Sequence, residues 1–120
     1  MYLLAIPYQK DNNIVRKARF KIACDMVQYH KNKVFCPIIY EHTLYEMNGE
    51  SDISSLYNNF MRMAEGLFVY KIPGWNTDPM IIRLINFFSL TNQTVTYIEP
   101  LPEHMTGAYA EVWNKFLGKE

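Results

Sequence analysis

The sequence is poor in cysteine, and the few that occur do not form a disulfide framework. Only Cys24 and Cys36 are present among 120 residues, and both lie in apolar stretches. No apolar run approaches the ~20 residues that a membrane-spanning helix needs. The apolar segment 1–7 is too short for the core of a signal peptide and has no basic segment before it. We therefore expect a cytoplasmic protein that contacts no membrane.

The chain also lacks an excess of charge of either sign. Twelve basic residues balance twelve acidic ones, so there is no broad basic surface of the kind that binds nucleic acid. The three histidines, His30, His42 and His104, are too scattered to predict a metal site. The glycine-rich phosphate loop, the dinucleotide fingerprint and the GxSxG nucleophile motif are all missing. We expect no metal and no cofactor, and small molecules or proteins as partners.

Apolar residues are abundant, and their pattern predicts an α/β fold. The chain is 49% hydrophobic and 15% aromatic, which is enough for one domain over residues 1–120 with its own core. Short apolar runs that predict strands alternate with helical patterns. The predicted strands are 2–7, 34–39 (ending near Cys36, before Pro37), 67–72 and 94–98, and the predicted helices are 13–29, 53–65, 79–91 and 106–117. This order predicts a three-layer domain around a parallel sheet.

Local signals refine three of these boundaries. Asp11, Asn12 or Asn13 is placed to cap the first helix. Asp78 followed by Pro79 is a strong helix start, because a capping carboxylate precedes proline at the first helical position. Gly66 is predicted to end the second helix in the left-handed conformation. Residues 40–52 are polar and aromatic, and we interpret them as a long loop.

Ligands of parallel sheets bind beyond the carboxyl ends of the strands, where the winding reverses. If the first strand is central, this crevice lies between the ends of the first and third strands. Helix starts there offer free N–H groups to a phosphate or a sugar. The residues that the pattern places at this edge are Pro7, Tyr8, Arg16, Arg19, Pro73, Gly74, Trp75 and Asp78.

Each of these residues also has a structural interpretation. Tyr8 can cover the end of the first strand, and Arg19 can form an ion pair with Asp25 or Glu65. Asp78 is explained as a helix cap by the proline that follows it. Cys36 is interpreted as a buried apolar residue rather than as a nucleophile.

Four segments resemble, in order and spacing, a small phage and bacterial group of nucleoside 2-deoxyribosyltransferase-like proteins. They are LLAIPY at 3–8, RKARF at 16–20, VFCPII at 34–39 with His42 shortly after, and VYKIPGW at 69–75. The resemblance covers roughly residues 2–100. It implies a flavodoxin-like or Rossmann-like domain with a parallel sheet of four to five strands. It also implies a nucleoside or nucleotide in the crevice, with Pro37 and His42 added to the binding residues, and association as dimers or higher oligomers.

The resemblance fails at the positions that carry the family's chemistry. Active members cleave an N-glycosidic bond with a nucleophilic glutamate on the helix after the third strand. Counted from Gly74 and Trp75, that position falls on Leu84 or at most one residue from it, where Arg83 and Ile85 carry no carboxylate either, and an aspartate expected on the preceding helix falls at about Tyr57. A leucine cannot attack an anomeric carbon. We therefore expect a protein that binds a nucleoside or nucleotide without cleaving it.

Three hypotheses stay open. The first is this binder, for instance a phage protein in the host cytoplasm that sequesters an ADP-ribose derivative used as a defence signal. The second is an N-glycosidase or deoxyribosyltransferase in which Asp78 acts as nucleophile or base and Tyr8 orients the substrate. The third is a protein-interaction module that uses Tyr40, Tyr45 and Met47.

Overall fold

The computed structural model describes residues 1–8, 12–48 and 54–117, and these residues form an α/β fold. Four parallel strands lie in the order β2-β1-β3-β4. The strands are β1 (Tyr2–Ala5), β2 (Val34–Phe35), β3 (Gly66–Tyr70) and β4 (Thr94–Ile98). The α-helices are α1 (Asn13–Tyr29), α2 (Pro37–Asn48), α3 (Ser54–Met63), α4 (Pro79–Leu90) and α5 (Gly107–Phe116), and a 3-10 turn spans Pro102–His104. The predicted three-layer, flavodoxin-like class with a parallel sheet is confirmed.

Both faces of the sheet are apolar and both are covered by helices. Along β1, Leu4 belongs to a core shared with α1 and α5, whereas Leu3 and Ala5 belong to a second core shared with α3 and α4. The same alternation continues in β3, where Leu67 faces the second core. Side chains of a strand point alternately to its two faces, so continuous apolar runs become strands buried on both sides.

The strongest sequence signals lie where they were predicted. Helix α1 has the predicted bounds, and the Asn12 side chain caps it by accepting from the N–H groups of Ile14 and Val15. Strand β4 also has the predicted bounds. Helix α4 begins with Pro79 at its first position and Asp78 as its cap. Cap residues and a regular apolar spacing thus define these elements from the sequence alone.

The prediction for the segment after β2 is wrong. Strand β2 ends at Phe35, and residues 37–48, predicted as the end of a strand and part of a loop, form α2. Pro37 suits this start because its fixed φ fits the first helical turn. The buried positions of α2 include Ile38 and His42, and a histidine in the buried stripe hides the apolar period. The remainder of the predicted loop, residues 49–52, lies outside the described residues.

The prediction for Gly66 is also wrong. It is the first residue of β3 and does not adopt a positive φ. A β-carbon there would lie 2.8 Å from Cε2 of Tyr2 and 3.1 Å from the carbonyl oxygen of Thr94. Glycine is therefore required by the close approach of the Tyr2 ring, which stacks on Phe68 with 4.9 Å between ring centroids. Among the described residues, no helix has the length and apolar character to cross a membrane.

Candidate functional site

The carboxyl ends of β1 and β3 meet at the edge of the sheet, because the two strands are neighbours and parallel. The backbone N–H of Tyr8, just after β1, donates to Oδ2 of Asp78 over 3.2 Å. Asp78 closes the loop that follows β3. The two loops that the sequence placed at the crevice therefore touch. This is the point in the strand order at which the chain reverses its direction of winding.

Asp78 is held by three backbone N–H groups. Its Oδ1 accepts from Met80 over 2.9 Å and from Ile81 over 3.1 Å, and its Oδ2 accepts from Tyr8. The carboxylate therefore caps α4 and fastens it to the end of β1. Since Asp78 already occupies the first amides of α4, that helix start does not offer them to a phosphate.

Tyr8 and His42 lie in contact with each other at this edge, on the side of α1. The Tyr8 hydroxyl lies 3.3 Å from Nδ1 of His42, and the His42 ring stacks on Phe20 with 4.3 Å between centroids. Burial lowers the pKa of His42, Glu46 raises it, and Arg16 and Lys17 lower it further. The ring is therefore neutral at pH 7, and one of its nitrogens can accept the Tyr8 hydroxyl proton.

The two arginines of α1 are both buried, with 3% of each exposed. Arg16 donates through Nη2 to Oδ1 of Asn13. Arg19 donates through Nη2 to the carbonyl oxygen of Pro73 over 2.7 Å, while its Nε is buried with no hydrogen-bond partner. Arg19 thus anchors the loop after β3 to helix α1.

Arg19 does not form either of the ion pairs considered from the sequence. The carboxylate of Asp25 lies 3.2 Å from His104, and that of Glu65 lies 2.6 Å from the amino group of Met1. Burial lowers the pKa of Arg19 to about 10 and the charge of Asp78 raises it. The guanidinium is therefore charged at neutral pH and is attracted to the carboxylate that caps α4.

Trp75 lies on the side of the loop that faces β4. Its ring centroid is 5.7 Å from that of Tyr97 and 5.7 Å from Nζ of Lys71. It packs at the margin of the second core, whereas Tyr8 packs at the margin of the first. The loop after β3 thus presents its carbonyl group to Arg19 and its tryptophan to the opposite sheet face.

The position predicted for a nucleophile lies in the core. Leu84 is 1% exposed and belongs to the second core, so its side chain does not open to solvent. Cys36 is fully enclosed as well, and burial raises the pKa of its thiol to about 12. A thiol with that pKa stays protonated at neutral pH and is a poor nucleophile.

Glu41 was not singled out from the sequence, and Tyr57 was named only as the position where the resemblance expects an aspartate. Tyr57 is buried, and its pKa is raised well above the usual range, first by burial and then by electrostatic interactions, chiefly with the carboxylate of Glu41 and also with Asp78. Both carboxylates thus act electrostatically on the Tyr57 hydroxyl. A helical interpretation of residues 37–48 would have placed Glu41 and His42 together beyond β2.

Within the described parts of the chain, no group of histidine, cysteine and acidic side chains is arranged to hold a metal ion. A scan against models of known protein families found no match, and a search of curated proteins found none either. The fold and the edge described above define an α/β protein whose parallel sheet carries Tyr8, His42 and Asp78 at its switch point. The resemblance to nucleoside 2-deoxyribosyltransferases stays a prediction.

Proposed function

We propose that the protein binds a nucleoside or nucleotide in the crevice between the ends of β1 and β3 and leaves the ligand intact. The observation that carries this proposal is the pair formed by Tyr8 and His42 at the switch point of a parallel sheet. An aromatic ring, a hydroxyl and an imidazole at such a point suit a heterocyclic base and a ribose, which need stacking and directed hydrogen bonds.

Two features support binding without cleavage. Position 84, where the resemblance expects a nucleophile, holds a leucine enclosed in the core. Asp78, the acidic residue that the sequence placed at this edge, already accepts three backbone hydrogen bonds. A carboxylate that anchors a helix and a strand end in this way would have to leave those donors unsatisfied to attack a substrate. This disfavours the hypothesis of a relocated nucleophile.

The same geometry indicates how a charged ligand would be oriented. Asp78 repels a phosphate from the start of α4, whereas Arg16 acts electrostatically on His42 from the side of α1. A phosphate group would therefore lie on the α1 side of the crevice. An ADP-ribose derivative is one ligand of this class, and sequestering it as a signal is the physiological role that we propose.

The test is a thermal-shift and calorimetric screen of the purified protein against nucleosides, nucleotides, cyclic nucleotides and ADP-ribose derivatives. We expect one class to stabilise the protein and to be recovered unchanged by mass spectrometry. Tyr8→Phe and His42→Gln should weaken binding. Tyr2→Phe and His30→Gln are matched controls near the opposite end of the sheet and should not.

Two results would contradict the proposal. If no compound of the screen binds, the crevice is not a nucleotide site. If free base appears with a nucleoside or nucleotide and Asp78→Asn abolishes its release, the protein is an N-glycosidase or deoxyribosyltransferase. Asp78→Asn keeps an oxygen that can cap α4 but replaces the oxygen that accepts from Tyr8 with an NH2 group, so a loss of activity counts only where circular dichroism shows that the variant is folded.

A role in protein interaction is the other candidate, and the exposure of α2 favours it. Tyr40 and Met47 are both exposed on this helix, while the side chain of Tyr45 lies outside the described residues. Aromatic residues and methionine are enriched at interfaces. Loss of a partner on Tyr40→Ala, with ligand binding unchanged, would support this role.

A further inference from the structure

The outer edge of β4 is the open edge of the sheet. At the other edge, β2 is only two residues long, and a strand that short offers little to a pairing partner. Strand β4 has five residues, TVTYI, with no charge and no proline. Within 1–8, 12–48 and 54–117, no strand pairs with its outer side. An uncharged edge of this length is a template for a further strand.

The hydrogen bonds between β3 and β4 show which backbone groups of β4 point away from the sheet. The carbonyl oxygen of Ile98 accepts from the N–H of Lys71, so the backbone N–H and C=O groups of Ile98 point towards β3. In a parallel ladder the residues of a strand turn their N–H and C=O groups alternately to the two sides. The backbone N–H and C=O groups of Thr94 and Thr96 therefore also point towards β3. Val95 and Tyr97 direct their N–H and C=O groups away from the sheet.

We propose that two copies of this chain pair through β4 in antiparallel orientation, about a two-fold axis at Thr96. In that register Val95 of each copy lies opposite Tyr97 of the other. Each of these two pairs can exchange two backbone hydrogen bonds, because their N–H and C=O groups are the open ones. The two four-stranded sheets become one continuous sheet. The strand is thus complementary to itself.

The side chains suit this pairing. Opposite residues would be Val95 with Tyr97 on one face, and Thr96 with Thr96 and Thr94 with Ile98 on the other. Aromatic residues opposite β-branched ones, and threonine opposite threonine, stabilise antiparallel pairs. No charge falls within β4, so the two copies do not repel each other along the strand. Tyr97 is 47% exposed, and Thr94 and Thr96 are exposed too. Pairing would cover apolar surface on Tyr97 that is open in the single chain.

Helix α4 continues the same surface. Arg83 and Phe87 lie on the flank that faces α3, where they line a cavity with Asn58 and Met61. At 100° per residue, Ile82, Ile85 and Ser89 lie on the opposite flank, next to the outer edge of β4. Ile82 is 43% exposed and Ser89 is exposed. The two-fold axis brings this flank of one copy next to that of the other. The inference does not depend on the ligand proposed above.

The experiment is sedimentation velocity of the full chain over a concentration series, with cysteine pairs as a test of register. The Cα atoms of two residues at position 96 would lie about 4.5 Å apart across a non-hydrogen-bonded pair, within reach of a disulfide. We therefore expect Thr96→Cys to form a covalent dimer on mild oxidation. Thr94→Cys should not, because its two copies would be about 14 Å apart along the strand.

A charge variant provides the second arm. Thr96→Lys places two like charges directly opposite each other and should weaken the dimer by roughly tenfold or more. Asn59→Lys adds the same charge to an exposed site on α3 and should leave the dimer intact. Circular dichroism establishes that each variant is folded. A monomer at every concentration overturns the proposal, as does a dimer that Thr96→Lys leaves unchanged or that Thr94→Cys cross-links as well as Thr96→Cys does.

Discussion

Gly74 and Arg19 fit against each other at the end of β3. The guanidinium of Arg19 donates to the carbonyl oxygen of Pro73, and Nη2 occupies the space into which a β-carbon at position 74 would project. Gly74 also has a φ of 97°, which residues other than glycine rarely adopt. The loop that carries Trp75 and leads to Asp78 therefore has its path fixed by a buried cation and a residue without a side chain.

Gly74→Ala is expected to destabilise the protein by about 1–3 kcal/mol, from backbone strain and from displacement of Arg19. Gly107→Ala is the matched control, because Gly107 has a φ of 60° and nothing lies within 4 Å of the site of its β-carbon. The free energy of unfolding in urea measures both. Equal losses in the two variants would mean that the contact with Arg19 adds nothing to the strain.

Leu84→Glu tests whether position 84 belongs to the core or to the crevice. A buried carboxyl group without a partner is costly, so we expect a loss of stability larger than the ~2–5 kcal/mol typical of Leu84→Ala. Asn86→Glu adds the same charge at an exposed position of α4 and should change stability by no more than about 0.5 kcal/mol. Near-normal stability of Leu84→Glu would show that this side chain reaches solvent.

Acidification should destabilise the protein through His42. Its pKa in the folded protein is lowered by burial, and by Arg16 and Lys17 against the opposing charge of Glu46. As the pH falls through about 6.5, the unfolded chain binds a proton at this residue before the folded protein does. The free energy of unfolding therefore decreases as the pH falls, until the pH has passed the pKa of His42 in the folded protein. Below that pH, His42 causes no further change.

The measurement is urea unfolding of the wild type and His42→Gln between pH 8 and about pH 4, a range set by the usual histidine pKa. The variant should lose part of the pH dependence below pH 6.5. Burial also lowers the pKa of His30, so His30→Gln should remove a separate part of the pH dependence of the free energy of unfolding. Identical pH profiles for the wild type and His42→Gln would contradict the prediction.

Sequence patterns predicted the elements whose boundaries are set by local chemistry. Helix α1 and strand β4 have the predicted bounds because one carries a cap and an apolar stripe and the other a β-branched run between turns. Helix α2 was missed because its buried side includes His42, so no apolar period marks it. Gly66 was misassigned because the reason for the glycine is the Tyr2 ring, which is distant in sequence.

Only part of the candidate site could be predicted from the sequence. The parallel-sheet rule was sufficient to bring Tyr8 and Asp78 to one edge, because strand ends and helix starts follow from the order of elements. The direction of a long side chain does not follow from that order. Arg19 binds a backbone carbonyl 54 residues away, a contact that leaves no spacing in the sequence. Tyr57 joins the residues of α4 in the second core only because α3 and α4 pack on the same face of the sheet.

A polar network away from this edge fastens the C-terminal part of the fold, and no spacing in the sequence predicts it. The Tyr70 hydroxyl lies 2.7 Å from Nδ1 of His104 and also accepts from the N–H of Leu101 over 2.7 Å. Nε2 of His104 lies 3.2 Å from Asp25 on α1, and the carbonyl of His104 accepts from Trp113 over 2.9 Å. One histidine thereby joins β3, α1 and α5.

Tyr70→Phe should therefore cost about 1–3 kcal/mol although it keeps the ring, because it leaves the N–H of Leu101 and a nitrogen of a fully buried imidazole without their partner. Tyr109→Phe is the matched control. Its ring also packs edge-on against His104, with 5.6 Å between centroids, but its hydroxyl has no hydrogen bond within the described residues. Thermal and urea unfolding should show a loss in the first variant and little change in the second. If neither variant loses stability, ring packing rather than the Tyr70 hydroxyl holds α5 to the sheet, and equal losses in both would mean that the hydrogen bonds of the Tyr70 hydroxyl are not the cause.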